Sequence, residues 1–242
     1  MVHLRKVTLL PHKYPTRVRY PFNLEVFHKT EHIVFDTPVS FFAGENGTGK
    51  STLLKAICRS CEIPIWEPPE RRRVENNPYE ERLQDCIGIT WEQGRVTGSF
   101  FGSEIFLYYA QILDEFAAAD AGQLKYFGGK SLMTQSHGES LLSFFRARYQ
   151  IRGLYLLDEP ETALSPRSQL DLLGVILDAA GAGHAQFIMA THSPILLSLP
   201  GASIYSFDHV PIRKVAYEDT DHYKVYREFM SGRERYLRDV GD

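Results

Sequence analysis

The stretch Gly44-Glu-Asn-Gly-Thr-Gly-Lys-Ser51 constrains this chain more than any other feature. Its spacing fits GxxxxGK[ST] without a mismatch. That pattern has chemical meaning only when a strand runs into it and a helix runs out of it. Both are predicted: Val39, Phe41, Phe42 and Ala43 form an apolar run before it, and Leu53, Leu54 and Ile57 keep helical spacing after it. The glycines let the backbone curl until successive N–H groups point at one phosphate, and the helix N-terminus adds its positive dipole end. Gly44, Glu45, Asn46, Gly47, Thr48, Gly49, Lys50, Ser51 and Thr52 are therefore the candidate nucleotide-binding residues. In such a loop the lysine reaches the β- and γ-phosphates and the hydroxyl of Ser51 ligates Mg²⁺.

The rest of the chain must supply a sheet for that loop to sit on. Leu154-Tyr-Leu-Leu and Gln186-Phe-Ile-Met-Ala read as strands buried on both faces. The segments 204–207 and 213–217 read as shorter strands. Helical patterns cover 169–180 and 222–238, the last with Val225, Phe229 and Tyr236 on one side. This alternation argues an α/β fold with a largely parallel central sheet flanked by helices. Residues 87–91 and 95–100 alternate around Glu92-Gln-Gly and predict a β-hairpin, followed by a helix over 104–119 capped by Ser103. With the proline-rich stretch 62–78, the region of about 58–134 reads as a small insertion on a single domain of 1–242.

Composition closes off other classes. A chain of 242 residues with 43% hydrophobic and 24% charged residues is an ordinary globular one. No apolar run approaches a membrane span, and the first residues lack a signal-peptide pattern. The net charge of −3 marks no evident nucleic-acid binder. Three cysteines, two of them as Cys58-Arg-Ser-Cys61, read as reduced structural thiols, and the expected compartment is the cytoplasm.

Three further motifs carry chemistry. Asp158 and Glu159 end the 154–157 strand. An acid there, beside a phosphate loop, suits a Mg²⁺ ligand (Asp158) and a residue that polarises the attacking water (Glu159). Ser136-His-Gly138-Glu139 precedes a helical run. Its spacing is that of a capping box, and equally of a second phosphate-binding helix start. Thr191-His192-Ser-Pro follows the 186–190 strand, where His192 can donate to the γ-phosphate or to the attacking water.

The order and spacing of these four motifs resemble the ABC-type ATPases: phosphate loop, signature serine, acidic strand end, switch histidine. Ser136 precedes Asp158 by 22 residues and His192 follows Glu159 by 33. The resemblance spans about residues 30–207. GENGTGKST, QSHGES, LYLLDEPETALS and THSP are similar to the short, coiled-coil-free SMC/RecF-like ATPases, and SHGES departs from the LSGGQ usual in transporters. The resemblance implies a P-loop NTPase of ABC-ATPase-like fold with a lid subdomain, taking ATP and Mg²⁺ as a homodimer formed when ATP binds. It implies Ser51 and Asp158 at the metal, Lys50, Glu159 and His192 in cis at the reaction, and Ser136 and Gly138, beside Glu139, acting in trans. The D-loop falls at Pro160–Ser165. For the family's Q-loop glutamine the chain offers Gln93, Gln111, or Phe100-Phe-Gly-Ser-Glu as a replacement, and for adenine stacking Tyr20 or Phe22.

The function expected is an ATP-hydrolysing dimerisation switch on a protein or nucleic-acid partner, not itself membrane-embedded. The nucleotide-binding subunit of a membrane transporter and a RecF-like DNA-maintenance ATPase stand as alternatives, and a non-enzymatic ATP-binding scaffold as a third. The 82 residues between Thr52 and Gln135 are too few and too proline-rich for a long coiled-coil arm. Arg71–Arg73 are read as a solvated loop or a partner contact.

Overall fold

The computed structural model of the chain describes residues 1–66, 77–119 and 137–238. In chain order the elements are β1 (Leu4–Leu9), α1 (Glu25–Lys29), β2 (His32–Val34), β3 (Val39–Ala43), α2 (Lys50–Ser60), β4 (Ile87–Trp91), β5 (Gly98–Gly102) and α3 (Ser103–Ala119). There follow α4 (His137–Arg148), β6 (Gly153–Asp158), α5 (Pro166–Gly181), β7 (Ala185–Ala190), α6 (Pro194–Leu197), β8 (Ser203–Ser206), β9 (Arg213–Val215) and α7 (Asp221–Arg238).

The α/β fold expected from the alternation is the fold observed. Six strands form one sheet in the order β5-β6-β7-β3-β8-β9, parallel except for β9. β3 and β7 are buried at every position, as strands covered on both faces must be. Their side chains alternate between two cores. Phe42, Leu154, Leu156 and Ile188 face α2 and the β1 layer, while Phe41, Tyr155, Phe187 and Met189 face α3, α4 and α5. The helix starts are written locally: Ser165 accepts from the Ser168 amide before α5, and Ser193 accepts from the Ile195 and Leu196 amides before α6, each followed by proline.

The second sheet, β2-β1-β4, is antiparallel and lies on the α2 side. A buried side chain, Gln186, bridges the two sheets. Gln186 on β7 accepts from the amides of His3 and Leu4 and donates to the Leu4 carbonyl. Its polar atoms are thereby satisfied, so burial at 0% exposure carries no unpaired-group penalty.

One expectation is corrected. The strands around Glu92-Gln-Gly are no hairpin: β4 pairs antiparallel with β1, and β5 pairs parallel with β6. Alternation reports that a strand has one buried face. It does not report the neighbour, and residues 92–97 carry the chain from one sheet to the other. Two stretches of the region 58–134 are thus strands of the sheets. Arg71–Arg73 lie outside the described residues. The apolar side of α7 also stays on the surface, with Val225 56%, Phe229 39% and Tyr236 36% exposed. Only the start of α7 reaches the body of the fold, and its helical geometry breaks at Gly232.

Candidate functional site

The carboxyl ends of β6, β7, β3 and β8 lie side by side, with Asp158 opposite Ala190 and Ala43 opposite Ser206. The loop 44–49 leaves β3 in the middle of this row. Gly49 has φ +101, and a Cβ there would sit 2.7 Å from the buried ring of Phe27. Gly44 has φ +148, and its Cβ would meet the Asp208 carboxylate at 3.0 Å. Asp208 follows β8 and accepts the Glu45 amide at 2.8 Å. Thr48 closes the loop by donating to the Glu45 carbonyl.

Lys50 begins α2 and is 4% exposed. Its ammonium donates to the carbonyls of Gly44 at 2.7 Å and Glu45 at 2.8 Å. Burial pulls its pKa below the ordinary lysine value, while Glu159, Asp208, Asp158 and Glu45 oppose that. A cation held by two loop carbonyls and faced by four acids is placed for an anionic ligand in the loop. Next to it, Ser51 donates to Asp158 Oδ1 at 2.7 Å. Thr52 meets the hydroxyl of Tyr20.

A hydroxyl and a carboxylate in contact are hard oxygen donors and fit Mg²⁺, which keeps most of its waters and uses few protein ligands besides substrate phosphates. Among the described residues no group of three or more His, Cys, Asp or Glu is placed to cage a metal. A cleft of about 150 Å³ opens here, lined by Ser51, Lys55, Phe100, Gly102, Ser103, Ile105, Asp158 and Glu159.

Glu159 sits in the left-handed region, φ 46 and ψ 53. A non-glycine residue there stores strain of about 1–2 kcal/mol. Its amide is held by the Ala190 carbonyl at 2.9 Å, and its own carbonyl accepts from the amide and hydroxyl of Thr162. The strained turn sets its carboxylate 3.6 Å from His192 Nε2.

His192 is held from two further sides. Its amide donates to Glu161 at 2.6 Å, and its Nδ1 meets Nε2 of His222 at 3.0 Å. Burial raises the pKa of Glu161 above its ordinary value. Burial, Lys50 and His222 lower that of His192, with Glu159 and Glu45 opposing. Burial also lowers that of His222, with Asp208, Glu45 and Asp221 opposing.

Lys50, Ser51, Asp158, Glu159 and His192 are thus brought together around one loop, as their motifs anticipated. Gly138 and Glu139 lie in the first turn of α4, where a Cβ on Gly138 would be 3.6 Å from Ser168 Oγ at the start of α5. Ser136 lies outside the described residues. Neither glutamine reaches the cleft. Gln93 lines a pocket with Thr97 and Arg152 at the amino ends of β5 and β6, and Gln111 is exposed on α3. Gly102 and Ser103 occupy the cleft instead. Phe22 is fully buried against Tyr14 and Tyr79, so it cannot stack on a base, whereas Tyr20 stays partly exposed beside Thr52. Cys58, Cys61 and Cys86 are buried thiols, and burial pushes Cys61 up to about 12.

Sequence reasoning missed Asp208 and His222. Asp208 carried a usable signal, since it follows the apolar run Ile204-Tyr-Ser-Phe as Asp158 follows its own strand. His222 carried none: it comes 30 residues after His192 and opens a helix.

Two family models match the chain. One, described as "AAA domain, putative AbiEii toxin, Type IV TA system", matches residues 138–198 and so spans Asp158, Glu159 and His192. The other, described as an AAA domain, matches 22–62 and spans the phosphate loop. A hemin import ATP-binding protein of Bradyrhizobium diazoefficiens is 31% identical over 160 residues, 59% of this chain and 59% of that protein. The chain therefore spans about three fifths of the length of this curated relative. A metal-chelate type ABC transporter in an inward-facing conformation aligns with TM-score 0.55 and 16% identity over 93% of this chain and 88% of that one. An Smc head bound to the C-winged helix domain of ScpA aligns with TM-score 0.51 and 13% identity over 88% and 98%. At such identities the structural likeness is one of fold. The resemblance to the ABC-type ATPases is borne out, and the likeness to the Smc head is one of fold alone. Among the described residues, no helix is long and apolar enough to cross a membrane.

Proposed function

We propose that this chain, with the fold of the ABC-type ATPases, binds Mg²⁺-ATP at the loop after β3 and hydrolyses it, closing on a second copy when ATP is bound. One observation carries the reading: Lys50, Ser51, Asp158, Glu159 and His192 converge from three segments, with Ser51 on Asp158 at 2.7 Å and His192 on Glu159 at 3.6 Å. Lys50 leaves its two carbonyls to hold the β- and γ-phosphates. Ser51 and Asp158 would hold Mg²⁺, which supplies charge neutralisation at the phosphate oxygens when bound. Glu159 takes the proton of the attacking water as it becomes the nucleophile, and His192 donates to the γ-phosphate. Ser136 and Gly138 of one copy complete the site of the other, and the switch acts in the cytoplasm on a protein or nucleic-acid partner. The differential affinity of ATP for the closed pair drives the switch.

The test is phosphate release by the wild type and by Glu159→Gln, with solution mass by light scattering for Glu159→Gln with and without Mg²⁺-ATP. Turnover lost in the variant, with ATP converting monomer to dimer and Ser136→Arg abolishing that, supports the reading. A mass that never changes while ATP binds overturns the switch and leaves the ATPase. The likeness to a hemin import ATP-binding protein favours a second reading, a transporter's nucleotide-binding subunit. Co-purification with a membrane-embedded subunit would select it.

A further inference from the structure

We infer that His222, at the start of α7, is a positioning residue that holds His192 in the tautomer carrying its proton on Nε2. The inference rests on the ATPase reading only for its catalytic consequence, since the tautomer is a property of the chain itself.

The two rings meet through His192 Nδ1 and His222 Nε2 at 3.0 Å, and one of these atoms must donate. The remaining nitrogens, His192 Nε2 and His222 Nδ1, are both buried without a hydrogen-bond partner. That leaves two arrangements of neutral rings. If His192 donates, its Nε2 turns a lone pair toward the Glu159 carboxylate 3.6 Å away, and His222 Nδ1 becomes a buried N–H with no acceptor. If His222 donates, His192 Nε2 carries the N–H and aims it at Glu159, and only a lone pair on His222 is left unpaired. The second arrangement removes a repulsion and an orphaned donor together. Orphaned buried donors are the costlier defect.

Burial, helped by Lys50, pulls both rings below the ordinary histidine value, and the carboxylates around them oppose that. The charged groups facing them are Lys50 and Glu45 from the phosphate loop, Asp208 after β8, Glu159 after β6, and Asp221 on α7 itself. Glu161 already spends one oxygen on the His192 amide. With Nδ1 occupied by His222, His192 has one proton, and it points at Glu159, the residue proposed to act on the attacking water. The device ties the position of α7 to the donor of the switch histidine.

The measurement is long-range ¹H–¹⁵N correlation of the imidazoles in the nucleotide-free protein, at a pH of about 8 where both rings are neutral. His192→Gln serves to assign the His192 signal. The wild type is expected to show His192 protonated on Nε2. His222→Leu should lose that pattern and lower kcat about tenfold with little change in KM. His222→Gln, whose amide can donate at the same place, should restore both. A wild-type His192 protonated on Nδ1 overturns the inference, as does a His222→Leu protein that keeps tautomer and kcat. If His222→Leu does not fold, the wild-type spectrum and His222→Gln still decide. A chain without ATPase activity would sink the proposed function while leaving the tautomer readout intact.

Discussion

The loops after β6 and after β7 meet at the same phosphate loop but are held there by opposite means. After β6 the constraint is in the backbone. Asp158 ends a paired strand, and Glu159 is turned into the left-handed region with its amide on Ala190 and its carbonyl on Thr162. After β7 the constraint comes from side chains brought in from elsewhere: Glu161 on the His192 amide and His222 on its ring. The first loop stores strain at Glu159, the carboxylate proposed to act on the attacking water. The second places hydrogen bonds around His192, the proposed proton donor. Changing Glu159 should therefore strike the chemistry proposed for it, and removing a support of the β7 loop, either Glu161 reaching over from the β6 loop or His222 from α7, should strike stability and poise.

The largest break in this comparison is Glu159→Gln. It should lower kcat by about 10²–10⁴-fold with ATP binding retained, read as phosphate release beside nucleotide titration. Next is Glu161→Ala, which strips the acceptor from a partly buried amide. Its unfolding free energy should fall by about 1–3 kcal/mol in a denaturant titration, and an unchanged value would mean the β7 loop is not held from this side. Glu159→Gly separates strain from chemistry. It should be inactive like the glutamine variant and yet more stable than it by up to about 1 kcal/mol, because glycine accepts φ 46 without penalty while adding freedom to the unfolded chain. A glycine variant less stable than the glutamine one would deny stored strain in the β6 loop.

The smallest effect concerns pH. His192 and His222 both lie below the ordinary histidine value of 6.5 when folded. The unfolded chain therefore takes up protons first as pH falls through that value, so stability is full above it and declines below it. Melting temperature followed from about pH 8 to about pH 5 should drop, and His222→Gln should flatten part of the drop. An equal slope in both proteins would mean the pair stays protonated alike in both states.

Much of this site was legible because its motifs are local. Lys50 and Ser51 follow a glycine pattern that only one backbone path serves, and Asp158 and His192 each end an apolar run that must be an interior strand. The hairpin reading failed for a related reason, since alternation in 87–91 and 95–100 carries no information on which strand lies alongside. In the same way, helical spacing of Val225, Phe229 and Tyr236 marks one side of a helix without saying whether anything covers it, and in α7 that side stays exposed.

From the sequence alone came the phosphate-loop pattern, the acidic strand end, His192 at the end of its own strand and the α/β order of elements, all set by contacts within a few residues or by the period of a strand or helix. Only the tertiary structure decided that Asp208 would cap the loop at Glu45, that Ser103 rather than a glutamine would line the cleft, and that His222 would meet His192. The first two follow from the parallel order of β5, β6, β7, β3 and β8, which aligns strand ends distant in the chain, and the third from where the start of α7 packs; a pairing order or a helix docking is a property of the whole fold that no single segment encodes.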